Sequence, residues 1–183
     1  MQAAFLFVCA GFFNGNEFIW IDSGLMRRLG AADREHSEEE TRVRILLVED
    51  SKPIRRANET ALVRAGYNVM CAEDGETALK MAHDQHPDLI LLDMILPKMS
   101  GPEVLKHLKH EAETSQIPVV VVSSLSEKNR ERLMQDGAED YLEKSEIMPA
   151  HGPNLLPKML EDIICRIHRK RGIAFTDVPS TTQ

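Results

Sequence analysis

The sequence predicts an α/β protein: a doubly wound, five-stranded parallel sheet with helices on both faces. Three observations carry this. Short apolar runs rich in β-branched residues recur as Val43–Val48 (VRILLV), Asp88–Leu92 (DLILL) and Ile117–Val122 (IPVVVV), the pattern of strands buried on both faces. Segments of helical apolar spacing separate these runs. Repetition of strand then helix implies right-handed crossovers and a sheet covered on both sides.

Each element follows in order. Val43–Val48 is the first strand, and Pro53 suits the first turn of the helix after it. Ile54, Ala57, Ala61, Leu62 and Ala65 recur at helical spacing until Gly66 ends the run. Tyr67–Ala72 is a second strand and Glu76–Gln85 a second helix. The third strand, Asp88–Leu92, ends at Asp93, and a loop with Pro97 and Gly101 leads into a helix over Glu103–Glu111. Ile117–Val122 is the fourth strand, Glu127–Gln135 a charged helix stopped by Gly137, and Asp140–Glu143 a fifth, shorter strand. The last helix lines up Leu155, Leu156, Met159, Leu160, Ile163, Ile164 and Ile167, then ends in Arg169, Lys170 and Arg171.

Composition narrows the function classes. The chain has 183 residues, 43% hydrophobic and 28% charged, which suits one globular domain with modest tails. Its net charge of −7 argues against nucleic-acid binding through the whole body, since that depends on neutralising phosphates. Three widely spaced cysteines, Cys9, Cys71 and Cys165, give neither a disulfide framework nor a zinc site and suit a reducing, cytoplasmic setting. Three segments result: residues 1–42 as an N-terminal extension, 43–171 as the folded domain and 172–183 as a polar tail.

The amino terminus differs in kind. Five of the six phenylalanines and Trp20 fall within the first twenty positions. The apolar run Ala3–Phe13 is too short to span a bilayer, which takes about 20 residues. It also lacks the preceding basic residues of a signal peptide, the first being Arg27. Two readings stand: an over-long gene start with translation from Met26 into a disordered polar leader, or a membrane-associating segment.

The carboxyl ends of the strands carry the chemistry, because ligands of doubly wound sheets bind there. Strand one ends in Glu49 and Asp50, strand three in Asp93, strand four in Ser123 and Ser124, and strand five runs to Lys144. Crowded carboxylates repel unless a cation or proton intervenes. An all-oxygen cluster suits Mg²⁺, and a hydroxyl and an ammonium opposite it would complete a cradle for a phosphoryl group. A carboxylate can be the nucleophile in such a site, and Asp93 is the central one. Taken singly, each residue has a plainer role: Asp50 and Ser51 as helix caps, Asp93 as a turn cap, Lys144 as a surface lysine. Jointly, four strand ends supply complementary groups, which favours a functional site.

The motifs ILLVEDS (45–51), DLILLDMILPKMSG (88–101), IPVVVVSS (117–124) and GAEDYLEKS (137–145) resemble those of the receiver domain of two-component response regulators, here of the stand-alone type. The resemblance implies a flavodoxin-like sheet of strand order 2-1-3-4-5. It implies that Asp93 accepts a phosphoryl group from a histidine kinase or phosphotransfer protein. It implies Mg²⁺ held by Asp50, Asp93 and the carbonyl of Ile95, with Glu49 acting largely through water. Ser123 then bonds the phosphoryl oxygen, Lys144 pairs with it, and Tyr141 is the switch aromatic. The resemblance also implies a downstream partner reading the face of the fourth helix, fifth strand and last helix, and it is compatible with a phosphorylation-dependent homodimer. It implies no separate enzyme activity; the net charge and the shortness of the apolar run, in turn, predict no nucleic-acid partner and no membrane span.

The sequence departs from that pattern where Ser145 stands in place of the usual proline after the lysine, often cis. A cis bond before a non-proline costs about 2.5–4 kcal/mol, so a trans or reshaped loop is expected. Residues 145–153 also make a longer link into the last helix, and no output domain is expected after Gly172, where the sequence continues as a short polar tail. A receiver-fold adaptor that binds partners without phosphorylation is the alternative function. Enzymes on similar sheets fit less well: Glu49 and Asp50 would repel a flavin phosphate, Ile95 stands where a phosphohydrolase wants a second acid, and no P-loop is present. The pairs His83/His86 and His107/His110 lack a third ligand, and the basic cluster Arg166–Arg171 suits a helix C-terminus.

Overall fold

Five strands form at the apolar runs. The computed structural model describes the backbone of residues 11–14 and 17–20, and residues 42–124, 129–148 and 152–171. The chain divides into two compact units, residues 1–41 and 42–183. In the first, β1 (Gly11–Asn14) and β2 (Glu17–Trp20) pair antiparallel, with Asn14 opposite Glu17. The rest of the apolar run Ala3–Phe13, the leader from Met26 and the tail after Gly172 lie outside the described residues.

The second unit alternates strand and helix: β3 (Arg44–Val48), α1 (Lys52–Arg64), β4 (Asn68–Ala72), α2 (Gly75–Gln85), β5 (Leu89–Asp93), α3 (Gly101–His110), β6 (Val119–Ser123), α4 (Arg130–Gln135), β7 (Asp140–Glu143), α5 (Lys144–Ile147) and α6 (Leu156–Arg171). The strands are parallel in the order β4-β3-β5-β6-β7, the predicted 2-1-3-4-5. Alternate side chains of each strand enter opposite layers. Leu46, Val48, Ile90, Leu92, Val119 and Val121 pack with α2, α3 and α4 through Ala78, Ala82, Val104, Leu105, Leu108 and Leu133. Ile45, Leu47, Leu89, Leu91, Val120 and Val122 pack with α1 and α6 through Leu62, Leu156, Leu160, Ile163 and Ile167.

The last connection is reshaped, as expected. The fifth strand spans Asp140–Glu143, as predicted, and Lys144 at its end opens the one-turn helix α5. The Lys144–Ser145 bond is trans. A serine, unlike a proline, leaves residue 144 free to take helical backbone angles. Ile147, 1% exposed, anchors that turn, and its carbonyl accepts from Leu155 N at 2.9 Å. Asn154 then holds the link down: Oδ1 accepts from Leu156 N at 2.9 Å, and Nδ2 donates to buried Asn58 of α1 at 2.7 Å. The predicted helix over Glu127–Gln135 is described from Arg130, with 125–128 outside the described residues.

Most of the basic α6 terminus has intramolecular partners. Arg166 bonds Asp140, Lys170 bonds Glu139 at 2.6 Å, and Arg171 donates to Gln116 O at 2.7 Å. That occupation weakens the case for a nucleic-acid patch. Among the described residues no helix is long and apolar enough to cross a membrane.

Candidate functional site

Parallel strands all point their carboxyl ends at one edge, so the residues that end β3, β5, β6 and β7 converge there. Glu49 follows β3 and stays registered to the sheet through Glu49 N to Ala72 O at 3.1 Å. Asp93 is the last residue of β5, paired with Val122, and Ser123 lies one residue further along β6. Lys144 directly follows β7.

The structure brings Glu49, Asp50 and Asp93 together, with a carboxylate oxygen of each within 4.8 Å of the others. Glu49 and Asp93 are buried at 2% and 3% exposure, while Asp50 faces solvent. Lys144 Nζ lies 2.7 Å from both Glu49 Oε2 and Asp93 Oδ2. The other Asp93 oxygen, Oδ1, accepts from Ile95 N at 3.2 Å. Ser123 is fully buried at the same edge. Tyr141 stands upstream in β7, buried among Val121 and Leu133 in the core rather than among the carboxylates. Ile95, whose amide bonds Asp93, is 59% exposed, and Ser124, next along the chain from Ser123, is exposed.

Electrostatics follow from this crowding. Burial pushes the Glu49 carboxyl above its ordinary pKa; the Lys144 ammonium pulls it back and the Asp93 charge raises it again. Burial alone would lower the Lys144 ammonium, but its bonds to Asp93 and Glu49 outweigh that and hold it raised. Three carboxylates against one ammonium leave an excess of negative charge. All the donors are oxygens, so the cluster fits a hard divalent cation such as Mg²⁺. Among the described residues it is the one such group. The histidine pairs form none: His83 bonds Asp84 at 3.0 Å and Glu113 at 2.7 Å, and His110 Nδ1 faces Lys106 O.

Sequence reasoning missed three supports. Arg55 of α1 lies under the acidic turn, Nη1 donating to Glu49 O at 2.7 Å and Asp50 O at 3.2 Å. The Asn58–Asn154 bond ties α1 to the link that carries Lys144. Asp74, the N-cap of α2, bonds Lys98 in the loop leaving Asp93 at 2.5 Å and accepts from Thr77 N at 2.8 Å. Lys98 sits there at a φ of 65°, a left-handed conformation that the ion pair helps to hold.

The Lys98 bond, then the Thr77 amide, lower the Asp74 pKa from its ordinary 3.8 to about 2. A depressed carboxylate contributes stability that is present above its unfolded pKa and lost as pH falls through the folded one. Asp74→Asn is therefore expected to destabilise the protein above about pH 4, with the gap shrinking as pH falls and closing only below about pH 2. Unfolding midpoints measured across that range check this; a gap that stays constant with pH would refute it.

Comparison with known proteins completes the picture. Residues 45–150 match the response regulator receiver domain. Over 102 residues the chain is 43% identical to the phosphate regulon transcriptional regulatory protein PhoB of Escherichia coli (strain K12), covering 55% of this chain and 44% of PhoB. Over 120 residues it is 35% identical to the polar-differentiation response regulator DivK of Brucella ovis, covering 65% of this chain and 91% of DivK. The solved structure of the chemotaxis response regulator CheY4 of Vibrio cholerae matches with a TM-score of 0.59 at 27% identity, covering 67% of this chain and 99% of that one. The chain thus spans less than half the length of PhoB and most of DivK. It belongs to the receiver domain family of two-component systems, whose general function is phosphorylation-switched signalling.

Proposed function

We propose that residues 43–171 form a receiver that takes a phosphoryl group onto Asp93 from a histidine kinase or phosphotransfer protein, then signals through an altered surface or passes the phosphate on. The observation that carries this reading is a buried Asp93 bracketed by Lys144 at 2.7 Å and by an acidic pair within 4.8 Å. The contact of Lys144 with Asp93 supports phosphorylation chemistry over a phosphate-independent adaptor.

An Asp93 carboxylate oxygen attacks the phosphorus of the donor; the new O–P bond forms as the donor's bond to phosphorus breaks, its electron pair leaving with the donor. Mg²⁺ held by Glu49, Asp50, Asp93 and the Ile95 carbonyl would supply positive charge against the phosphoryl oxygens. Lys144, already on Asp93, supplies a second positive group to them, and Ser123 a hydroxyl donor. The phosphoryl adds about −1.5 to −2 charges. Lys144 and Ser123 are drawn toward it, and the repacking passes to Tyr141 in the core beside them.

The surface that would respond is α4, β7 and α6, where Asp140 is held by Arg130 at 3.3 Å and by Arg166. A downstream protein, or a second copy of the chain, would read that face. Free Cys71 and Cys165 are in keeping with cytoplasmic action.

Intact-mass spectrometry after incubation with acetyl phosphate tests the reading. With Mg²⁺ the protein is expected to gain the mass of one phosphoryl group, and with a chelator none. Folded protein that gains nothing with Mg²⁺ would leave the adaptor as the better account.

A further inference from the structure

The structure assigns Arg55 a positioning role: its guanidinium fixes the acidic turn so that Glu49 and Asp50 present their carboxylates to one divalent cation. The assignment rests on the reading of that cluster as a cation site. β3 ends at Val48, so the carbonyls of Glu49 and Asp50 lie beyond its ladder. Both accept from a single atom, Arg55 Nη1, at 2.7 and 3.2 Å. A second nitrogen, Nη2, reaches Glu73 Oε2 on the neighbouring loop at 3.5 Å, and the side chain is only 16% exposed. Arg55 N itself bonds Ser51 O at 2.8 Å, so the helix that carries the guanidinium starts from the turn it braces.

The Glu49 carbonyl is half-buried and needs a partner, while the Asp50 carbonyl is exposed; without Arg55 the first would turn toward water and the second would lose the donor they share. Their carboxylates hang from the same two residues and would turn with them. A planar fork with several fixed donors suits this better than a single ammonium, which holds one direction at a time. Groups that orient ligands from behind are worth about 10–100-fold in metal affinity when removed.

Charge and geometry make opposite forecasts. Arg55 is a cation near a cation site, so if it acted through charge alone its removal would tighten Mg²⁺ binding. If it acts by position, removal weakens binding. Titration calorimetry of the full chain with Mg²⁺ separates the two. Arg55→Gln is expected to weaken Mg²⁺ by roughly tenfold or more, and Arg55→Lys, which keeps the charge and loses the fork, to weaken it by less. The Mg²⁺ concentration for half-maximal labelling by acetyl phosphate should rise in step, while the rate at saturating Mg²⁺ stays within about twofold of wild type, because Arg55 does not touch the phosphoryl group. Equal or tighter binding by Arg55→Gln would overturn the assignment. Should that variant fail to fold by circular dichroism, wild-type affinity in Arg55→Lys would overturn it instead. A wild type that binds no Mg²⁺ would overturn the cation site itself, and Arg55's role with it.

Discussion

Asp93→Asn is expected to abolish phosphoryl labelling while leaving the fold in place. The amide has nearly the shape of the carboxylate, so β5 and its pairing of Asp93 with Val122 are undisturbed. Its oxygen carries no full charge and its nitrogen no available lone pair, so nothing at position 93 can attack phosphorus. Loss of a nucleophile is felt as at least about a thousandfold in rate. Stability should move by about 1 kcal/mol at most, because two effects oppose each other. The Lys144 bond at 2.7 Å weakens, but repulsion with Glu49 disappears, and Lys144 keeps Glu49 at the same distance. Intact mass after acetyl phosphate treatment, with denaturation curves alongside, reads both quantities. A mutant labelled at the wild-type rate would move the acceptor elsewhere.

Gly101→Ala is expected to be the more damaging change to the fold. A Cβ at Gly101 would lie 2.3 Å from Asp93 O and 2.5 Å from Met94 Cα. Both are backbone atoms, so no rotamer change relieves the clash. The same contact is braced by Gly101 N donating to Met94 O at 3.1 Å, which holds α3 tightly against the end of β5. Overpacking of this kind costs about 1–3 kcal/mol, and rigid neighbours place it at the upper end. Whatever the backbone yields is taken from Asp93, so the labelling rate should fall together with stability. Chemical denaturation and labelling kinetics check the pair of effects. Stability within about 0.5 kcal/mol of wild type would show that the approach is not a constraint.

The strands and the acidic cluster were legible for the same physical reason. Strands buried on both faces, such as LILL at 89–92 and VVVV at 119–122, require uninterrupted apolar residues, and polar groups at their ends must then face the ligand edge. Arg55 was not legible, because an arginine on an amphipathic helix looks alike whether it faces water or a pair of carbonyls. Asn58 and Asn154 are 96 residues apart, and no local pattern joins them. Asp74 and Lys98 likewise meet only once α2 and the loop after β5 are in place. The pairing of β1 with β2, Asn14 opposite Glu17, did have a local signal: just two residues, Gly15 and Asn16, separate the aromatic-rich segments, a hairpin cue. A reading by composition passes over it.

The Asn58–Asn154 bond has a kinetic side. It joins an early helix to the start of the last one across 96 residues, so it is expected to close late, after the intervening strands are placed. Contacts of such long sequence separation form late in folding, since the chain must first be ordered between them. The bond therefore acts as a latch on the finished domain: removing it would hasten unfolding and leave the folding rate almost untouched. The native lifetime of the lysine's perch thus depends on two asparagines that take no part in the phosphoryl chemistry.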